Sequence, residues 1–140
     1  MLVYNKYLKE LGFKEKDFPF DKDEKSDPRY KLDKETGVVN AQTFSLDCTI
    51  VAEIYTYLRY FQDNCMYGIP AGFIDETKKD KGMAEWKKTV GKIVDGFRCY
   101  FIAMSMEAYT EEQRKELDGL FEQFDEAWAL LGKNIQCFWW

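Results

Sequence analysis

Tyr55 and Arg59 stand four residues apart, with Tyr60 adjoining Arg59 and Tyr67 a short loop further on. Residues four apart share one face of a helix, so a guanidinium would lie one turn from a phenol ring. Such a group can pair with a phosphate and stack a flat base. Lys88 and Lys92, again four apart, would add positive charge. Together Tyr55, Arg59, Tyr60, Tyr67, Lys88 and Lys92 form the candidate site for a small anionic, nucleotide-like ligand. A structural reading stands beside it, in which Arg59 is solvated and the tyrosines pack their rings with hydroxyls outward.

A second chemistry would use carboxylates. Glu122-x-x-Asp125 is one half of the pattern by which all-helical, magnesium-dependent nucleotide pyrophosphohydrolases hold their metal on facing helices. The other half is missing, because Glu112 is followed three positions later by Lys115. The chain has no histidine, which removes the usual general base, the usual metal ligand and every Ser-His or Cys-His nucleophile. Its four cysteines, at 48, 65, 99 and 137, form no CxxC pair and read as reduced, mostly buried thiols. No catalytic residue, metal or cofactor is therefore expected, and the acidic run around Glu122 reads as a solvated face.

The elements that would position these residues are helices. Leu46, Ile50, Ile54, Leu58 and Phe61, joined by Val51, recur at helical spacing from about Ser45, a plausible N-cap, to Asp63. Gly68, Pro70 and Gly72 then impose a structured loop. A second helix, from about Lys81 to Met104, carries Trp86, Val90, Ile93, Val94, Phe97, Phe101 and Met104 on one stripe, the strongest periodic signal in the chain. Gly91 and Gly96 lie inside it, where space for a neighbouring helix would explain them. A third helix opens on the capping box Thr110-Glu111-Glu112-Gln113 and continues through Leu117, Leu120, Phe121, Phe124, Trp128 and Leu131, with Gly132 suited to its left-handed end. Before residue 45 a short helix within Leu2 to Leu11, closed by Gly12, and a small hairpin around Gly37 are the only regular elements suggested. The stretch Asp21 to Glu35, six acids and five bases interrupted by Pro28, reads as an exposed loop.

The expected fold is mainly α: a compact bundle of three long amphipathic helices plus a less regular N-terminal segment. With 140 residues and 46% hydrophobic content, a single domain is expected over 1–140, divided into an irregular segment 1–44, a helical core 45–132 and an aromatic tail 133–140. Ile50, Ile54, Leu58, Trp86, Val90, Ile93, Phe97, Leu117, Phe121, Phe124 and Trp128 are the expected core. No apolar run is long enough to span a bilayer and the N-terminus lacks a signal-peptide pattern, so a cytoplasmic protein with no membrane partner is expected. A net charge of −5 argues against a long nucleic acid as partner.

The net value conceals a separation. Thr77 to Arg98 holds seven bases against three acids, whereas Glu107 to Glu126 holds eight acids against two bases. Neighbouring helices that attract each other are one reading; a basic surface for an anion, or opposite faces meeting in an oligomer, is the other. Phe138-Trp139-Trp140 adds a second route to a homo-oligomer, since terminal aromatics either fold back on the core or dock on another subunit.

Ser45-Leu46-Asp47, then Leu58 and Phe61, then Tyr67-Gly68 with Pro70, then Trp86 with Val90, Ile93 and Phe97 resemble, in order, a group of short tailed-bacteriophage proteins for which no activity is established. The resemblance covers about residues 37 to 131; Tyr57 stands where that group commonly has Arg. It implies an origin in a phage and a setting in the host cytoplasm. Small phage proteins without enzymatic residues often bind a host component, and several unrelated ones capture nucleotide signals of bacterial immunity. The leading expectation is a non-enzymatic binding protein that sequesters such a nucleotide. The alternatives are an oligomeric structural or host-protein-binding protein and, third, the pyrophosphohydrolase.

Overall fold

The computed structural model describes residues 4–15, 31–38, 40, 43, 46–74 and 81–139. They include four α-helices with described bounds, α1 (Lys6–Glu10), α2 (Leu46–Asn64), α3 (Lys81–Ser105) and α4 (Glu111–Asn134), and Asn40 and Thr43 are helical as well. Two single 3₁₀ turns, Ala71–Phe73 and Ile135–Cys137, accompany them. The fold is mainly α, with no strand among the described residues. The chain divides into two compact units, Met1–Tyr57 and Leu58–Trp140, and the boundary falls within α2. The Ser45 cap, Val39, the stretch Asp21 to Tyr30, Lys78, Lys79, Asp80 and Trp140 lie outside the described residues.

In the first unit, α1 is short enough that its ends decide whether it forms. Asn5 caps the N-terminus by accepting from the backbone N–H groups of Tyr7 and Leu8. At the other end Gly12 takes φ +89°, its N–H bonds to the Lys9 carbonyl and that of Phe13 to the Leu8 carbonyl, a Schellman closure that only glycine adopts without strain. The Asn5 side-chain amide also donates to Thr56 Oγ1 at 3.3 Å, tying α1 to α2. Tyr7 and Leu8 of α1 and Val51, Ala52 and Tyr55 of α2 are buried. Of the suggested hairpin, the described residues show its tight turn and a β-bridge at Leu32, while Tyr30 and Val39 lie outside them. Gly37 has φ +71°, Asp33 N–H donates to the Val38 carbonyl, and the Asp33 carboxylate accepts from the N–H groups of Glu35 and Thr36. Those bonds favour the charged form and hold the Asp33 carboxyl below its ordinary value, so the turn is firmest above that range and loosens on acidification.

The second unit is organised by α3. Its first four turns bury one stripe, Gly82, Trp86, Val90, Ile93 and Val94, as the periodicity predicts. From Gly96 to Ala103 burial spreads round most of the helix, taking in Phe97, Cys99, Tyr100 and Phe101. A helix buried on most sides is a central one. α4 follows after a short link, and its start is the capping box expected: Gln113 N–H donates to Thr110 Oγ1 at 3.1 Å, and Thr110 N–H to Gln113 Oε1 at 3.0 Å. Its end differs. Gly132 has no left-handed backbone; α4 runs on to Asn134 and closes in the 3₁₀ turn.

The core also differs in part. Leu58, Trp86, Val90, Ile93 and Phe97 are buried as expected. Ile50 is 41% exposed, Ile54 is half-buried, Met104 is exposed, and Leu117, Phe121 and Phe124 are only half-covered. On α4 the fully buried residues are instead Ala127 and Leu131. The physical reason lies at Gly96, where an added Cβ would collide with Ala127 Cβ and come within 2.6 Å of the Gln123 carbonyl. Small residues bring α3 and α4 close at their crossing, and the large rings are displaced to its flanks. There Phe97 stacks on Trp128 (centroids 5.4 Å, 28°) and meets Phe124 edge-on at 5.4 Å, while Tyr100 meets Phe124 at 4.9 Å.

Candidate functional site

The expected site residues fall into three situations. Tyr55 is fully buried, so it presents no open face to a ligand. Its ring belongs to the covered stripe of α2 with Val51, Ala52 and Leu58, and that stripe is rotated away from Ile50. Arg59 lies at the shoulder of this stripe, and its guanidinium is engaged: Nη1 donates to Gln62 Oε1 and to Asp63 Oδ1, both at 2.8 Å. The second contact is an i,i+4 ion pair. A phosphate at Arg59 would have to displace an intrahelical carboxylate already in place. The combination of one tyrosine ring and a freely offered guanidinium, expected from the spacing, is therefore corrected at both residues by the packing of α2 itself.

Tyr60 and Tyr67 are exposed, at 54% and 81%, and among the described residues neither ring contacts another aromatic. Lys88 and Lys92 are exposed on successive turns of α3 without an ion pair among the described residues. Between them in sequence, Gly91 is where α2 meets α3: a Cβ there would lie 4.0 Å from Gln62 Nε2, the amide whose oxygen receives Arg59. Gln62 thus lies near Gly91, between the two lysines in sequence, while Tyr55 is buried.

Glu122 and Asp125 are both exposed on α4. Among the described residues no three metal-ligating side chains converge. The basic and acidic segments do become neighbours in sequence and space as α3 and α4, yet the ion pairs seen on them, Asp95–Arg98 and Glu111–Lys115, run along each helix. Exposed pairs of this kind contribute about 0–1 kcal/mol each.

Two aromatic groups organise the surface of the second unit. In one, Phe138 folds back from the C-terminal tail onto Phe61 (5.0 Å) and Trp86 (5.1 Å), with Phe73 against Trp86 at 5.0 Å. The fold-back alternative accounts for Phe138, whereas Trp139 is exposed. In the other, Trp128 covers Phe97 and meets Phe124 at 6.0 Å but is itself 45% exposed, and Leu117 and Phe121, on preceding turns of α4, are half-covered. Leu117, Phe121 and Trp128 are core residues by periodicity, and none is fully buried. The residues between them, Asp118, Glu122 and Asp125, were the available signal that this side of α4 meets water.

Of the four cysteines, Cys99 alone is fully buried; Cys48, Cys65 and Cys137 are half-buried. Burial pushes the Cys99 thiol up, the Asp95 charge adds to this and Arg98 opposes it; the thiol donates to Gln123 Oε1 at 3.4 Å. Because the thiolate is the nucleophile, Cys99 is expected to alkylate last. Time-resolved iodoacetamide labelling followed by peptide mass spectrometry checks this, and labelling of Cys99 as fast as Cys65 contradicts it. Stability attributable to the protonated thiol is complete below the unfolded value of 9.0 and declines as pH rises past it.

Comparison with family models, curated proteins and solved structures finds no match.

Proposed function

We propose that the protein is a non-enzymatic binding protein whose partner is another polypeptide. The observation that supports this reading is the partly covered aromatic face of α4, where the open indole of Trp128 adjoins Phe124 and the half-covered Phe121 and Leu117 stand on the preceding turns. Contiguous apolar surface of this kind gains free energy when a partner covers it, and aromatic anchors dominate such interfaces. The resemblance of residues 37 to 131 to short tailed-phage proteins makes a bacterial host protein the first partner class to search, in a cytoplasmic setting. The nucleotide-capture reading keeps Tyr60, Tyr67, Lys88 and Lys92 as its accessible residues and loses Tyr55 as a platform.

Purification from native cells under mild conditions, followed by denaturation and mass spectrometry of everything released, tests the choice. A polypeptide present in stoichiometric amount is the expected result. A nucleotide in stoichiometric amount without a polypeptide replaces this reading with small-anion capture centred on Lys88 and Lys92. Turnover of nucleoside triphosphates with magnesium or manganese that disappears in Glu122→Gln replaces it with the enzymatic one.

A further inference from the structure

Leu117, Phe121 and Trp128 follow one another along α4 at intervals of four and seven residues, which places them on a single stripe roughly along the helix axis. Asp118, Glu122 and Asp125 form the adjoining stripe, and all three are exposed. Asp118 and Asp125 lie three and four residues from Phe121, and Asp125 lies three from Trp128, so carboxylates border the apolar strip along one edge. None of the three has a cation partner among the described residues. From Glu116 to Gly132 the helix carries five acids and no base. Covering this strip with an acidic or neutral surface would desolvate the carboxylates without compensation, whereas a cationic surface would pair with them.

We propose that this face of α4 is the docking surface for a basic amphipathic helix of another protein, a deepening that rests on the partner-binding reading above. The strip is narrow and straight, and its span of about three helical turns matches anchors at i, i+4, i+7 and i+11 of one partner helix lying along it. A second copy fits less well on charge. Two α4 faces would oppose like charges, and the chain as a whole carries −5.

The test uses the full chain and a helical probe peptide of about 18 residues, built from Leu on one face and Lys on the other, beside its counterpart with Glu for Lys. The Lys peptide is expected to bind, to shift tryptophan emission to shorter wavelength and to weaken as salt rises; the Glu peptide is not. Trp128→Phe keeps a ring on Phe97 and is expected to abolish the shift while calorimetry still shows binding. Asp118→Asn with Glu122→Gln and Asp125→Asn, all at exposed positions, is expected to weaken binding about tenfold. Equal binding of the Glu peptide, no binding of the Lys peptide, or unchanged affinity in the triple variant overturns the proposal. In that event a polypeptide still recovered from native cells leaves the partner-binding reading standing with a different surface. Sedimentation without peptide is expected to show a monomer. A dimer that the triple variant abolishes assigns the face to a second copy and likewise overturns the proposal.

Discussion

Phe97→Ala is expected to cost about 3–5 kcal/mol, read as a fall in the denaturant midpoint at unchanged slope. The side chain is fully buried at the flank of the α3–α4 crossing, between Phe124 edge-on and Trp128 stacked. Truncation removes the transfer free energy of a large ring and leaves a cavity that cannot close, because the adjacent crossing already holds the two helices near their closest approach. Each aromatic pair lost adds about 0.5–1.5 kcal/mol beyond area burial. Total stabilities of single domains are only about 5–15 kcal/mol, so the variant should be marginal. Trp128 loses its stacking partner, and its emission should move to longer wavelength even where the chain remains folded. An unchanged midpoint would take Phe97 out of the core.

Periodicity located the helices well because it reports which residues share a face. α3 begins at the expected residue and ends one later, and α4 starts at the expected capping box, whose four residues are local chemistry needing no tertiary partner. Periodicity does not report how wide a face the rest of the protein covers. On α2 the apolar residues Leu46, Ile50 and Ile54 outline one face with Val51 at its side, yet the covered face centres on Val51, Ala52 and Tyr55, because nearly every side of that helix has an apolar or aromatic residue to offer. Tyr55 was legible as a ring with a hydroxyl, and nothing local says whether the ring turns inward. Arg59 was more legible than its reading: Gln62 and Asp63 stand three and four residues on, the spacing at which a helix pairs side chains with a guanidinium. On α4, counting large residues as core ignored the small ones. Ala127 is buried where Trp128 is not, since the closest approach of two helices is made by the residues that occupy least space.

The two interior glycines of α3 should therefore respond to the same substitution with opposite signs. At Gly96 an added methyl meets Ala127 Cβ and, at 2.6 Å, the backbone oxygen of Gln123, neither of which can swing away as the end of a flexible side chain would. Gly96→Ala is expected to destabilise by about 1–3 kcal/mol through overpacking, more than the roughly 1 kcal/mol that Ala gains over Gly in helix propensity. At Gly91 the same methyl meets only Gln62 Nε2 at 4.0 Å, ordinary van der Waals contact, so Gly91→Ala should stabilise by about 0.5–1 kcal/mol. Parallel denaturation of the two variants against the parent measures both. Propensity alone predicts a gain at each site. A loss confined to Gly96 can come only from the neighbour that occupies the space its missing side chain leaves, which is α4 at Gln123 and Ala127. Stabilisation by both substitutions would mean that α4 does not approach α3 there, and the displacement of Phe121 and Trp128 to the flank, on which the docking face depends, would lose its cause.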